Sequence, residues 1–296
     1  MKFIPAIVVL AAPFWTGSAL AEPVAYPAYA DVRNLDNYAT EPEYRAAIAD
    51  PAFVMERVAY RSDGLDVFVY VYRPTTPPAT KRPVIIFNRG SWTWPSFHAE
   101  LVTMANRLAH KGYLVVSPIY RGSGGAPGRD EMGGADLADL FNLLPLIAAM
   151  PEADSGRLYL YGESRGGMMV YQALRDGFPA RAAAVVGAFT DLEAMLADPQ
   201  WSEAGAAIWP DLATQRAAIV ERRSAQAWPE RLGAPVLILH GAQDQRVPVT
   251  HALQLATKLS AAGKPYQLKV VEGEGHTLSG RAADRDSWVV DWFRRH

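Results

Sequence analysis

The chain of 296 residues contains no cysteine. That excludes disulfides, thiolate metal sites, a cysteine nucleophile and a lipid anchor on an N-terminal cysteine. No charge sign dominates either: 29 Lys and Arg stand against 31 Asp and Glu, a net charge of −2. Such a balance offers no basic face for nucleic acid or an anionic membrane surface, so no nucleic-acid partner is expected. The six histidines are scattered, and none pairs with another at the short spacing of a zinc motif, so no metal is expected. Long apolar runs are missing too. The N-terminal one, Phe3 to Ala12 with Pro5 inside it, is too short to cross a bilayer, which takes about 20 residues, and no membrane anchor is expected.

What is present divides the chain into three parts. Lys2 precedes the apolar run, Pro13 and Gly17 follow it, and Ala19-Leu20-Ala21 has the small-x-small pattern of a signal-peptidase site. Residues 1–21 therefore read as an export signal cleaved near Ala21, which would leave the mature chain in the periplasm or secreted. Residues 22–52 form a lead segment, a loop and then a short helix ending before Pro51. Residues 53–296 read as one catalytic domain.

In that domain the apolar period switches repeatedly between two and 3.6. Val54 to Tyr60 and Val67 to Tyr72 alternate around Ser62-Asp63-Gly64, the pattern of a hairpin. The run at 83–87 reads as a buried strand, and 114–116, 157–161, 182–186, 235–239 and 266–271 read as further strands. Helical spacing lies between them, with a break expected at Pro145. The expected architecture is α/β, a mostly parallel, eight-stranded, doubly wound sheet. Residues 191–232, with Trp201, Trp209 and Trp228, exceed what one connecting helix needs and read as a small helical insertion near the strand C-terminal ends.

The strongest motif is Gly162-Glu163-Ser164-Arg165-Gly166-Gly167, a G-x-S-x-G directly after a strand and before a helix. In that context the small flanking residues let the chain make a sharp turn that lifts the serine hydroxyl above a helix N-terminus, as in the α/β-hydrolase fold. A serine nucleophile needs a base, and the base an orienting acid, which here must follow in that fold's order of Ser, acid, His. Asp244 follows the strand ending at Leu239, and His276 follows the strand ending at Val271. Both loops sit at the sheet edge that carries Ser164. The catalytic assignment is therefore Ser164, Asp244 and His276. Asp191 also follows a strand and is the alternative acid. Asp286 reads as a solvated helical position, His240 as a hydrogen-bonded core histidine, and His98 and His110 as helix ends. The oxyanion hole is expected from the N–H of Arg165 and one from the loop Asn88-Arg89-Gly90, with Gly90 favoured over Arg89. Arg89, Trp92, Trp94 and Trp209 are expected to line the substrate pocket, which points to an aromatic or anionic substrate group.

Ile86-Phe-Asn-Arg-Gly90, Tyr120-Arg-Gly-Ser-Gly124, Gly162-Glu-Ser-Arg-Gly-Gly167, Pro235-Val-Leu-Ile-Leu-His-Gly241, Asp244-Gln-Arg-Val-Pro248, Ala262-Gly-Lys-Pro265 and Gly273-Glu-Gly-His276 together resemble the catalytic domain of the prolyl oligopeptidase family. The likeness is collinear from about residue 54 to the end, and it implies the same nucleophile, acid and base. Asn88-Arg89-Gly90 departs from the family's frequent His-Gly-Gly. The large peptidases of the family carry a β-propeller ahead of this domain, and the short lead segment leaves no room for one. A stand-alone domain of this type is also similar to dienelactone hydrolases and bacterial acyl esterases. The expected function is cofactor-free hydrolysis of a carboxylic ester or short peptide through an acyl-enzyme on Ser164, with esters slightly favoured. The alternatives are a short-peptide peptidase and, from another class, an inactive relative that binds a ligand or partner.

Overall fold

The structure is a computed structural model that describes residues 21–32, 35–91 and 99–296. The export signal expected at residues 1–21 thus lies outside the described residues, apart from Ala21. Among the described residues nine strands form one sheet: β1 (Ala21–Pro23), β2 (Phe53–Ser62), β3 (Leu65–Pro74), β4 (Arg82–Asn88), β5 (Leu114–Pro118), β6 (Ala153–Glu163), β7 (Ala182–Val186), β8 (Val236–Gly241) and β9 (Tyr266–Val271). Their spatial order is β1-β2-β3-β5-β4-β6-β7-β8-β9. The first three strands and β5 pair antiparallel, and every pairing from β5 through β4 to β9 is parallel. The sheet therefore has one strand more than the eight expected. The addition is β1, three residues ending in Pro23, too short to show any period.

Local chemistry accounts for the boundaries. The β2–β3 hairpin turns at Asp63 and Gly64, both at positive φ (48° and 82°), as a two-residue turn matched to strand twist requires. The helix expected across Pro145 is split into α3 (Leu137–Phe141) and α4 (Leu144–Ala149), with the proline in the first turn of the second, where its missing N–H costs nothing. In the lead segment, α1 (Glu41–Ile48) starts with a capping box. The Thr40 hydroxyl accepts from Glu43 N–H while the Glu43 carboxylate takes Thr40 N–H at 2.8 Å. Tyr44 and Ala47 of this helix are buried, so the lead segment contributes to the core.

The central stretches of the parallel strands (84–87, 158–161, 182–186 and 236–239) are apolar and buried because both sheet faces are covered, whereas the edge strand β9 is half-exposed and carries Gln267 and Lys269. Val84 and Ile86 of β4 face one core with Leu114, Val116 and Leu160, where α5 (Arg165–Arg175) and α9 (Thr250–Ala261) pack. Ile85 and Phe87 face the other with Val115, Tyr159 and Tyr161, beneath α2 (Ala99–His110) and α10 (Ala282–Arg295). Between β7 and β8 lie α6 (Leu192–Leu196), α7 (Pro199–Ile208) and α8 (Leu212–Arg223), followed by two short 3-10 turns. They dock on the loop before α3: Trp209 Nε1 donates to Glu131 O at 2.8 Å, and Arg223 Nε to Met132 O at 2.7 Å. Among the described residues no helix is long and apolar enough to cross a membrane.

Candidate active site

Because β4, β6, β7, β8 and β9 run parallel, their C-terminal ends share one edge, and the loops leaving them meet there. Ser164 is the hinge between β6 and α5. Its backbone has φ 54° and ψ −120°, a sparsely populated conformation that costs about 1–3 kcal/mol in a residue with a Cβ. The turn is held by Ser164 N–H to Val186 O at 2.8 Å and by Gly167 N–H to Ser164 O at 3.0 Å. The first turn of α5 presses on the chain leaving β4: a Cβ at Gly166 would lie 1.9 Å from Asn88 O and 2.7 Å from Arg89 O. Only glycine permits that approach. It brings Gly90 against the serine, with the Cβ position of Gly90 3.4 Å from Ser164 Cβ.

Asp244 and His276 form the second half of the site. Asp244 Oδ1 accepts from the N–H groups of Arg246 and Val247, both at 2.9 Å. Its Oδ2 lies 2.8 Å from His276 Nδ1 and 3.2 Å from His240 Nε2. Burial pushes the Asp244 carboxyl up, but the hydrogen bonds from His240, His276 and Val247 outweigh it and hold the group well below the usual carboxylate range. An ionised Asp244 fixes the proton of His276 on Nδ1 and leaves Nε2 free to accept one. The ring packs on Gly187, whose φ is +56° and where a Cβ would fall 3.0 Å from Nδ1. The histidine loop is tied down by Arg285, whose Nη1 donates to Thr277 O at 2.8 Å. The Asp244 side chain is fully buried, whereas that of His276 keeps 10% of its surface exposed, as a base that must meet a substrate requires.

Other expected residues lie elsewhere. Asp191 caps α6 by accepting from Ala194 N–H, so its carboxylate is engaged there. His240 is fully buried and donates from Nε2 to Val247 O at 2.8 Å; the position behind Asp244 that this gives it is not visible in sequence spacing. Asp286, read as a solvated position, is buried between Arg107 (2.7 Å) and Arg285 (2.9 Å), because α2 covers that face of α10. Arg89 does not line an open pocket. It is 3% exposed, and its guanidinium is spent on Gly90 O, Ser91 O, Ser123 Oγ and Asp130, so it presents no free cation to an anionic substrate. Burial and the neighbouring Arg165 lower its pKa to about 10, still charged at neutral pH, with Asp130 opposing the shift. Trp209 is likewise a docking residue of the insertion: it is 5% exposed, Arg223 stacks on it at 4.7 Å, and the 180 Å³ cavity it borders is lined by neither Ser164 nor His276. Trp92, Trp94 and His98 lie outside the described residues. A larger cavity, 560 Å³, surrounds Arg175 and Asp176 at the far end of α5, about 15 Å along the helix from Ser164.

The motif reading missed a buried ionic cluster directly behind Ser164. The Arg165 side chain, 1% exposed, runs back into the protein to Asp130 and Asp136, both at 2.7 Å. A charged residue inside an otherwise small-residue turn was the available signal, since an arginine there must find carboxylates.

Comparison with known proteins places this geometry in context. The sequence model of the prolyl oligopeptidase family matches residues 95–296. The chain is 27% identical over 173 residues to the uncharacterized peptidase YtmA of Bacillus subtilis, covering 54% of this chain and 63% of that protein. It is 26% identical over 269 residues to the acylamino-acid-releasing enzyme of Sus scrofa, covering 84% of this chain and 36% of that enzyme. The chain thus spans about a third of the length of the latter. Among solved structures, the acylaminoacyl peptidase of Pyrococcus horikoshii superposes with a TM-score of 0.69 at 22% identity, over 82% of this chain and 42% of that one, a likeness of fold.

Proposed function

This chain belongs to the prolyl oligopeptidase family, and from that premise we propose that it is a serine hydrolase that cleaves carboxylic esters or short peptides through an acyl-enzyme on Ser164. The observation that carries the reading is the 2.8 Å contact between His276 Nδ1 and the ionised, buried Asp244, on loops that share a sheet edge with a strained Ser164. His276 Nε2 takes the Ser164 proton as Oγ attacks the substrate carbonyl. The N–H groups of Arg165 and Gly90, with the N-terminal end of α5, stabilise the oxyanion. His276 then passes the proton to the departing alcohol or amine, and the ester left on Ser164 is opened by a water that His276 deprotonates in turn. Each oxyanion donor supplies about 3–4 kcal/mol of transition-state stabilisation. No step calls for a cofactor.

Ester and amide substrates pass through the same tetrahedral intermediate, and esters, with the better leaving group, set the weaker demand on the site. A second reading, hydrolysis of short N-blocked peptides, is favoured by the names of the matched relatives, an acylamino-acid-releasing enzyme and a peptidase. Short-chain nitrophenyl esters assayed beside acetyl-aminoacyl and X-Pro anilides separate the two. Ester turnover alone supports an esterase, whereas anilide turnover of comparable kcat/KM makes it a peptidase. The sequence pattern of residues 1–21, read as an export signal, supports a periplasmic or secreted enzyme. An N-terminus retained at Met1 in the protein isolated from its host would exclude cleavage near Ala21, and recovery of the activity only in the cytoplasmic fraction would exclude export.

A further inference from the structure

The buried cluster behind Ser164 joins the two segments from which the oxyanion donors come. We propose that Asp130 is a positioning residue that locks the Gly90 loop to the start of α5, and so sets the distance between the two donor N–H groups; the inference rests on the acyl-enzyme reading above. Asp130 is 3% exposed at its side chain, and both its oxygens are used. Oδ2 accepts from Arg89 Nη2 at 3.1 Å and from Arg165 Nη1 at 2.8 Å, and Oδ1 accepts from Arg165 Nη2 at 2.7 Å. One carboxylate thus binds an arginine from each donor-bearing segment.

Those arginines also grip the loop. Arg89 Nη1 donates to Gly90 O at 3.0 Å and to Ser91 O at 3.1 Å, and Arg165 Nη1 reaches the same Ser91 O at 3.0 Å. Ser91 has φ 59°, a left-handed conformation unfavourable for serine, so the loop is held in a shape it would not keep alone. Tyr120 lies beneath both guanidinium groups, 5.6 Å from Arg89 and 4.9 Å from Arg165, and its hydroxyl donates to Asn88 Oδ1 at 2.6 Å. Two arginines side by side repel, and burial gives them no water to screen the repulsion. The carboxylate of Asp130 between them, with Asp136 on the far side of Arg165, balances the charge. A buried ionic cluster of this kind is weak evidence for stability, because well-packed apolar residues do as well. Its placement between the two donors gives it a different use.

The test separates oxyanion stabilisation from folding. Full-length protein carrying Asp130→Asn, and separately Arg89→Lys, is assayed on a nitrophenyl ester and on the matching thionoester. The sulfur anion of the thionoester intermediate gains little from hydrogen-bond donors, so the ratio of the two kcat/KM values reads the oxyanion site. Asp139→Asn, which removes a buried carboxylate from Arg121 in a different ion pair, is the structural control. Expected is a fall in that ratio of about tenfold or more in both variants, carried by kcat, short of the roughly 10²–10³ for outright loss of a donor. The control should keep the wild-type ratio. Arg89→Lys retains a cation facing Asp130, so it reads the ratio if Asp130→Asn does not fold. A wild-type ratio in either folded variant overturns the positioning role. Wild-type protein that never reacts at Ser164 overturns the acyl-enzyme reading and this inference with it.

Discussion

Replacing Asp244 by asparagine preserves the side chain's shape and exchanges one oxygen for an N–H2 group. The main-chain donors of Arg246 and Val247, both at 2.9 Å, will keep the remaining oxygen on their side. The amide N–H2 then faces His276 Nδ1, 2.8 Å away. Two donors cannot face each other at that distance, so the His276 proton shifts to Nε2, where it blocks acceptance of the Ser164 proton. His240 can turn to Val247 O alone and adds no rescue. Loss of the productive tautomer in a triad lowers kcat about 10⁴-fold, which at about 1.36 kcal/mol per tenfold is a barrier increase of about 5.4 kcal/mol. The assay is kcat and KM on a nitrophenyl ester near neutral pH, with circular dichroism to verify folding. Stability carries a second signature. The folded pKa of Asp244 is lowered, so its ionisation stabilises the protein fully above the unfolded value of about 3.9 and progressively less as pH falls through the folded one. The difference in denaturation midpoint between wild type and Asp244→Asn should therefore shrink as pH drops below about 4. A fall in kcat of less than tenfold, or one confined to KM, refutes the assignment of Asp244 as the acid that orients His276.

Two further substitutions divide site from scaffold. Arg285→Ala removes the donor to Thr277 O and leaves Asp286 with Arg107 alone; breaking this buried pair should cost about 3–5 kcal/mol in urea unfolding and lower kcat by loosening the His276 loop. Phe293→Ala removes a fully buried ring stacked on Tyr159 at 4.6 Å, on the sheet face covered by α10, and should cost about 3–5 kcal/mol while the kcat of the folded protein stays near wild type.

Alternation located β2 and β3, short apolar runs located the parallel strands, and β1 was missed because three residues carry no period. The shared-edge positions of Ser164, Asp244 and His276 were legible in the sequence, Ser164 directly after β6 and the other two a few residues beyond the ends of β8 and β9. The Asp130 cluster was not. Its partners stand 35 and 41 residues away, at Arg165 and Arg89, and only the crossing of the β5–α3 loop behind α5 brings them together. Asp286 was misplaced for a related reason. Its burial depends on Arg107, 179 residues earlier, and helical periodicity contains no record of which helix will cover a given face. Arg89 looked like a ligand contact because a cation in a loop near a nucleophile is usually exposed, whereas here the loop folds its own arginine inward.

The central claim, that Ser164 is the acylated nucleophile, is tested most directly by treating the protein with a fluorophosphonate probe and locating the adduct by peptide mass spectrometry. The account predicts one phosphonyl group per chain on Ser164, loss of ester turnover in step with labelling, and no labelling of Ser164→Ala. A labelled Ser164→Ala variant, or a wild type that turns over ester while Ser164 stays unmodified, would contradict it.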